Sequence, residues 1–209
     1  MKITLEHDWI KLLFVLLLAD LAFILMHILY VLDYFTDPLL SVGRESGYAE
    51  VYQYIKEFWI AVLLLVLAIN SRNVAYCAWC MLFTYFLLDD SLQIHERGGA
   101  FLVERLSLVP MFQLRAQDYG ELIVTLVAAT VIFSGIALSY FFSCPVLRKI
   151  SKNLFFMVLL LVFFGVVVDM LHAAIEWRRG LFELAEDGGE MLIMSLIVGY
   201  VFSLRMDRK

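Results

Sequence analysis

Apolar residues run along this chain in stretches too continuous for the one-sided stripe of a soluble helix, and the polar residues gather between them. Crossing roughly 30 Å of hydrocarbon takes about 20 residues as a helix. Six segments meet that length, at about 10–33, 52–71, 74–96, 119–143, 153–176 and 183–204. Several of their purely apolar runs are too short alone. Phe58 to Asn70 is thirteen residues, Val74 to Leu88 fifteen, Leu154 to Val168 fifteen and Met191 to Leu204 fourteen. The second span must therefore take in Glu57 and Lys56, the third Asp89 and Asp90 toward Glu96, the fifth Asp169 and His172 toward Glu176, and the sixth Asp187 and Glu190. Asp20 and His27 stand inside the first outright, and only the fourth is complete without its leading acid, Glu121.

Aligning the odd spans on their interior Asp brings Asp20, Asp89 and Asp169 together, with His27, Glu96 and Glu176 seven residues later. Seven residues is nearly two helical turns, so each pair shares a face. The even spans align on Glu57, Glu121 and Glu190, and AQDYGELIVTL resembles AEDGGEMLIMSL. The expected fold is an all-α integral membrane protein, a single six-transmembrane-helix bundle over 1–209 built from three helical-hairpin pseudo-repeats. Odd helices run one way and even helices the other, which brings all these acids into one half of the membrane.

Composition agrees. Of 209 residues 63% are hydrophobic and 18% charged, and mean hydropathy is +0.85, whereas soluble domains have about a quarter of their residues charged. Trp9, Tyr34, Tyr52, Tyr54, Trp79 and Trp177 fall at the expected interfaces. Residues 98–117 suit a surface-lying segment, in which Pro110 ends any helix. Lys and Arg favour the N-terminus, the loops near 72 and 148–152, and the C-terminus by nine to seven. The positive-inside rule then makes both termini cytoplasmic in a multi-pass cell-membrane protein and turns the acidic half outward. Cys77, Cys80 and Cys144 fall on the inner, reducing side and read as free thiols. Nothing supports nucleic-acid binding.

Three ionised Asp at span centres would cost about 8 to 10 kcal/mol on insertion scales, so something must neutralise them. Bases are few: Lys56, Arg97, Arg178 and Arg179 stand near helix ends, from which their stems can snorkel outward. Protons or a metal are the remaining candidates. His27, His95 and His172 fall one per odd span in the acidic half, and Asp169, His172 and Glu176 form a ridge like those that hold iron or manganese in helical bundles. The candidate metal set is His27, His95, His172, Asp20, Asp89, Glu96, Glu121, Asp169, Glu176 and Glu190, with iron, manganese or zinc the divalent ion its donors suit. His95 and Glu96 are adjacent and lie about 100° apart on a helix, so both join one site only where the helix distorts. Against this stands a plainer reading, in which Asp118-x-x-Glu121 and Asp187-x-x-Glu190 are capping boxes, Asp90 belongs to a solvated helix end, and each His is a hydrogen-bonded core residue. Gly98-Gly99 and Gly188-Gly189 read as flexible helix ends.

Three functions compete. One is a membrane-embedded metal-dependent hydrolase or oxidoreductase acting on a lipid-like substrate from membrane lipid. The second is a transporter of protons or divalent cations, since intramembrane acids mark ion pathways. The third is a structural subunit whose acids meet another chain's bases. The inner halves of the spans are almost bare of ionisable groups, which favours a one-sided site over a through-route.

Overall fold

The computed structural model describes residues 8–110, 114–168 and 179–206, with the backbone alone at 179–183 and 206. Every element in these segments is helical: α1 Asp8–Val31, α2 Tyr48–Ser71, α3 Val74–Leu92, α4 Ile94–Leu106, α5 Ala116–Phe141, α6 Pro145–Val162 and α7 Arg179–Met206. A 3-10 turn, Pro38–Leu40, lies in the first loop, and α6 runs on as a π-helix over Phe163–Val168. Five segments are long and apolar enough to cross a membrane: Asp8–Val31, Tyr48–Ser71, Ala116–Phe141, Pro145–Val168 and Leu184–Arg205.

The boundaries have local causes. Arg72 takes a left-handed conformation after α2, and the Asn73 side chain caps α3 by accepting from the Ala75 N–H at 2.9 Å. A tight turn follows, and α3 folds back along α2. The third span, expected to reach Glu96, stops at Leu92 because Gln93 turns left-handed at φ 54°. The chain restarts at once as α4, which fills the first part of the expected surface segment and ends at Ser107, before Pro110. The fifth span starts eight residues earlier than expected. Pro145 occupies the first turn of α6, where its fixed φ suits a helix and its missing N–H costs nothing, so Arg148, Lys149 and Lys152 ride on the helix itself.

The packing keeps two of the expected hairpin pairs, α3 with α5 and α6 with α7, and departs from the first, since the closest neighbours of α1 and α2 are other helices. α1 lies against α7, α2 against α3 and α7, α5 against α3 and α4, and α6 against α7. α1 and α2 are joined mainly by long side chains, including Phe23 stacked on Tyr52 at 5.2 Å. Gly99 and Gly120 mark where α4 crosses α5: a Cβ on either would overlap the other's backbone. Gly189 likewise admits the Phe164 ring. These glycines sit inside helices as close-approach points, not as the flexible ends expected from sequence.

One apolar cluster fills the half of the bundle nearest the α2–α3 and α5–α6 turns. Ile60, Leu64, Tyr76, Trp79, Phe83, Leu154, Ile197 and Val201 are all nearly inaccessible there. At the other end the loop 32–47, helix α4, the start of α5 and the first turns of α7 surround a polar hollow.

Candidate functional site

Two cavities meet in that hollow. The inner one, about 190 Å³, is lined by Glu57, Asp89, Asp90, His95, Glu121 and Glu190 together with Phe86, Leu122, Thr125, Leu161, Val162, Val166 and Met194. The outer one, about 590 Å³, is walled by Glu45, Glu50, Asp90, Glu96, Glu121, Glu186, Asp187 and Glu190, with Arg44, Arg115 and His95 the basic groups among its lining. Gln53, Asp90, His95, Glu121, Gly165 and Glu190 belong to both, so the two form one chamber with a polar mouth and a more apolar inner end.

Each helix contributes for a local reason. Residues 53 and 57 are one turn apart on α2, which points Gln53 and Glu57 into the chamber. Glu57 is 1% exposed, and its Oε2 has no hydrogen-bond partner among the described residues. Asp90, at the end of α3, lies close enough to share a hydrogen bond with it. Gly165 stands in the π-helical turn, where a Cβ would overlap the Oε1 of Glu190. π-Helical turns are frequent at functional sites.

Asp89 engages both oxygens with one residue. Oδ1 accepts from the His95 backbone N–H at 2.9 Å and Oδ2 meets His95 Nδ1 at 3.0 Å. The break at Gln93 makes this possible, because it lets the start of α4 swing back over the last turn of α3. That break is also the distortion that places His95 and Glu96 on one chamber wall. The Asp89 carboxylate raises the His95 pKa to about 8, against the opposing pull of burial. Burial raises that of Glu96, and Glu45 adds to it. Across the chamber, Gln117 donates to the Glu121 carboxylate and to the Glu96 carbonyl, both at 2.8 Å, and so clips α5 to α4.

Of the expected metal set, Asp89, His95, Glu96, Glu121 and Glu190 come together. Two members do not. His27 is buried against the first loop, where its Nδ1 accepts from the Val42 N–H at 3.2 Å and lies 3.3 Å from the Ser41 hydroxyl. Asp20 is fully buried opposite Lys56, whose Nζ is 3.1 Å from Oδ1. Lys56 therefore does not snorkel: it is 0% exposed, also donates to the Met191 carbonyl at 2.8 Å and the Ser195 hydroxyl at 3.4 Å, and lies 4.5 Å from the Tyr52 ring centre. A base this deep keeps its charge by ligation, and snorkelling would have left Asp20 alone in the core. Asp169, His172 and Glu176 fall outside the described residues. Among the described residues no group of three or more His, Cys, Asp or Glu is arranged to hold a metal ion.

The capping expectations shift as well. α5 is capped at Arg115, whose N–H and guanidinium donate to Asp118, so Asp118 fills the third position and Glu121 is released to the chamber. Asp187 and Glu190 lie well inside α7, which begins at Arg179, and cannot cap it. Gln53, Glu50 and Gln117 join the site with no signal in the sequence to point to them, whereas Glu57 is an expected acid outside the metal set and Lys56 an expected base whose partner, Asp20, the sequence does not show. The legible signal was one: a Lys-Glu pair in a run too short to span without it.

The fold and its polar hollow define a helical protein with several apolar helices of membrane-crossing length. The chain belongs to the family described as Domain of unknown function (DUF8692), whose model matches residues 10–204 and so takes in the whole chamber. No curated protein and no solved structure matches it.

Proposed function

We propose that the chain is a six-span cell-membrane protein with cytoplasmic termini, in which α3 completes the set of spans and the chamber opens outward to bind a lipid-like molecule by a cationic headgroup. The observation that carries this is the two-part chamber: a carboxylate-rich mouth continuous with an inner end that is also walled by Phe86, Leu122, Leu161, Val162 and Val166. α3, with 19 residues, extends about 28 Å at 1.5 Å per residue, close to the roughly 30 Å of the hydrocarbon layer. A cationic head would meet Glu57 and Asp90, where its charge takes the place of the proton that a hydrogen bond between two carboxyl groups requires. The buried Oε2 of Glu57 gives that head an acceptor with no other partner among the described residues. The apolar cluster beneath supports a one-sided site over a through-route.

A divalent iron, manganese or zinc ion bridging to the substrate is the second reading. It rests on the sequence spacing of Asp169, His172 and Glu176, three potential donors that lie outside the described residues. Calorimetric titration of the purified protein with dodecyltrimethylammonium, Mn²⁺ and Zn²⁺ separates the two. Saturable binding of the amphiphile that is lost in Glu57→Gln supports the first. Metal binding at one equivalent, with no amphiphile binding in the metal-free protein, replaces it by the second.

A further inference from the structure

At the opposite end of the bundle α5 and α6 diverge and leave a lateral groove of about 360 Å³ against α3, within the roughly 300–1,000 Å³ span of small-molecule sites. Its walls are Phe133, Ile136, Ala137 and Phe155, and Trp79 forms its base. The Trp79 indole at the base is already satisfied, its Nε1 donating to Ser151 Oγ at 3.1 Å. The groove therefore offers a chain-shaped apolar surface and no hydrogen-bonding role for its occupant's tail.

The rim has the opposite character. Lys152 lines the groove, and Lys149 stands one turn earlier on the same face of α6. Arg148 is engaged elsewhere, donating to the Phe141 carbonyl at 2.7 Å and the Tyr140 carbonyl at 3.3 Å, where it ties the end of α5 to the start of α6. Among the described residues no carboxylate pairs with Lys149 or Lys152, and both are exposed. An apolar slot beneath two cations matches an acyl chain beneath an anionic phosphate.

We infer that this groove seats an anionic phospholipid in the leaflet opposite the acidic chamber, its acyl chain against Phe133 and Phe155 above the buried Trp79 and its phosphate on Lys152 and Lys149. The site is independent of whatever the chamber binds. Trp79 serves as the reporter. In a Trp9→Phe, Trp59→Phe, Trp177→Phe background reconstituted in vesicles, brominated phosphatidylglycerol should quench Trp79 in preference to brominated phosphatidylcholine. The expected preference is roughly fivefold for each lysine engaged. Lys149→Gln with Lys152→Gln should erase it while both lipids still quench. Ala137→Phe, at an exposed groove position, should reduce quenching by both. Equal quenching by the two lipids, a preference that survives loss of both lysines, or undiminished quenching in Ala137→Phe would each overturn the assignment.

Discussion

The two halves of this bundle use the same helices for opposite ends. Toward the α2–α3 and α5–α6 turns, side chains interlock until Ile60, Leu64, Phe83 and Ile197 are inaccessible. Toward the other end the same helices carry Glu57, Asp89, Asp90, Glu121 and Glu190 around open space. Packing contributes by close contact summed over many atoms, whereas a carboxylate held in a cavity adds little to stability and keeps its capacity to bind. Closure in one half thus secures the helices against which the other half stays open.

Between the halves sits the Lys56–Asp20 pair, and breaking it is the strongest test of this contrast. Lys56→Met should cost about 3–5 kcal/mol, because Asp20 would remain as a buried charge without its cation. Thermal unfolding in micelles should show this, and Lys56→Met combined with Asp20→Leu should recover most of the loss. A double variant no better than the single one would mean that the pair does more than neutralise itself.

Within the closed half, Leu64→Ala should cost about 2–5 kcal/mol, since a fully buried side chain leaves a cavity its neighbours only partly fill. In the open half Glu57→Gln keeps the side chain's size and a donor for Asp90 while removing the ionisable carboxyl. Its unfolding temperature should hold steady or rise, while amphiphile binding disappears. Equal costs for these two changes would erase the distinction between a packed half and a binding half.

The smallest expected effect is a pH response at the chamber wall. Asp89 raises the His95 pKa in the folded chain to about 8, above its ordinary 6.5. A raised pKa contributes stability that is complete below about pH 6.5 and is lost as pH rises through about 8. Amide exchange in α4 should therefore quicken between pH 7 and 9, beyond the intrinsic rise seen in α2. Asp89→Asn should make α4 exchange fast already at pH 6. A pH profile for α4 parallel to that of α2 would show that the tether does not hold the α3–α4 joint.

Much of the site was legible because insertion cost ties function to apolar run length. The short runs that begin at Met191 and at Phe58 required Glu190 and Glu57 to lie within their helices, and both line the chamber. The three Glu aligned across even spans, Glu57, Glu121 and Glu190, line one inner cavity. The partner of each acid was not legible. Asp20 and Asp89 look alike in sequence, yet one faces a lysine 36 positions away and the other a histidine six positions away.

By itself the sequence determined an all-helical fold among the described residues, five helical segments of membrane-crossing length and the crowding of acids at one end. These follow from local composition, since a backbone in hydrocarbon must satisfy its own hydrogen bonds and apolar runs set where it does so. Only the tertiary structure decided that Lys56 turns inward to Asp20 and the Met191 carbonyl, that Gln93 breaks a helix so His95 can reach back, and that Gly165 leaves room for Glu190. Those choices rest on contacts between helices distant in the chain, where a side chain's lowest free energy is set by what packing brings within about 3 Å of it.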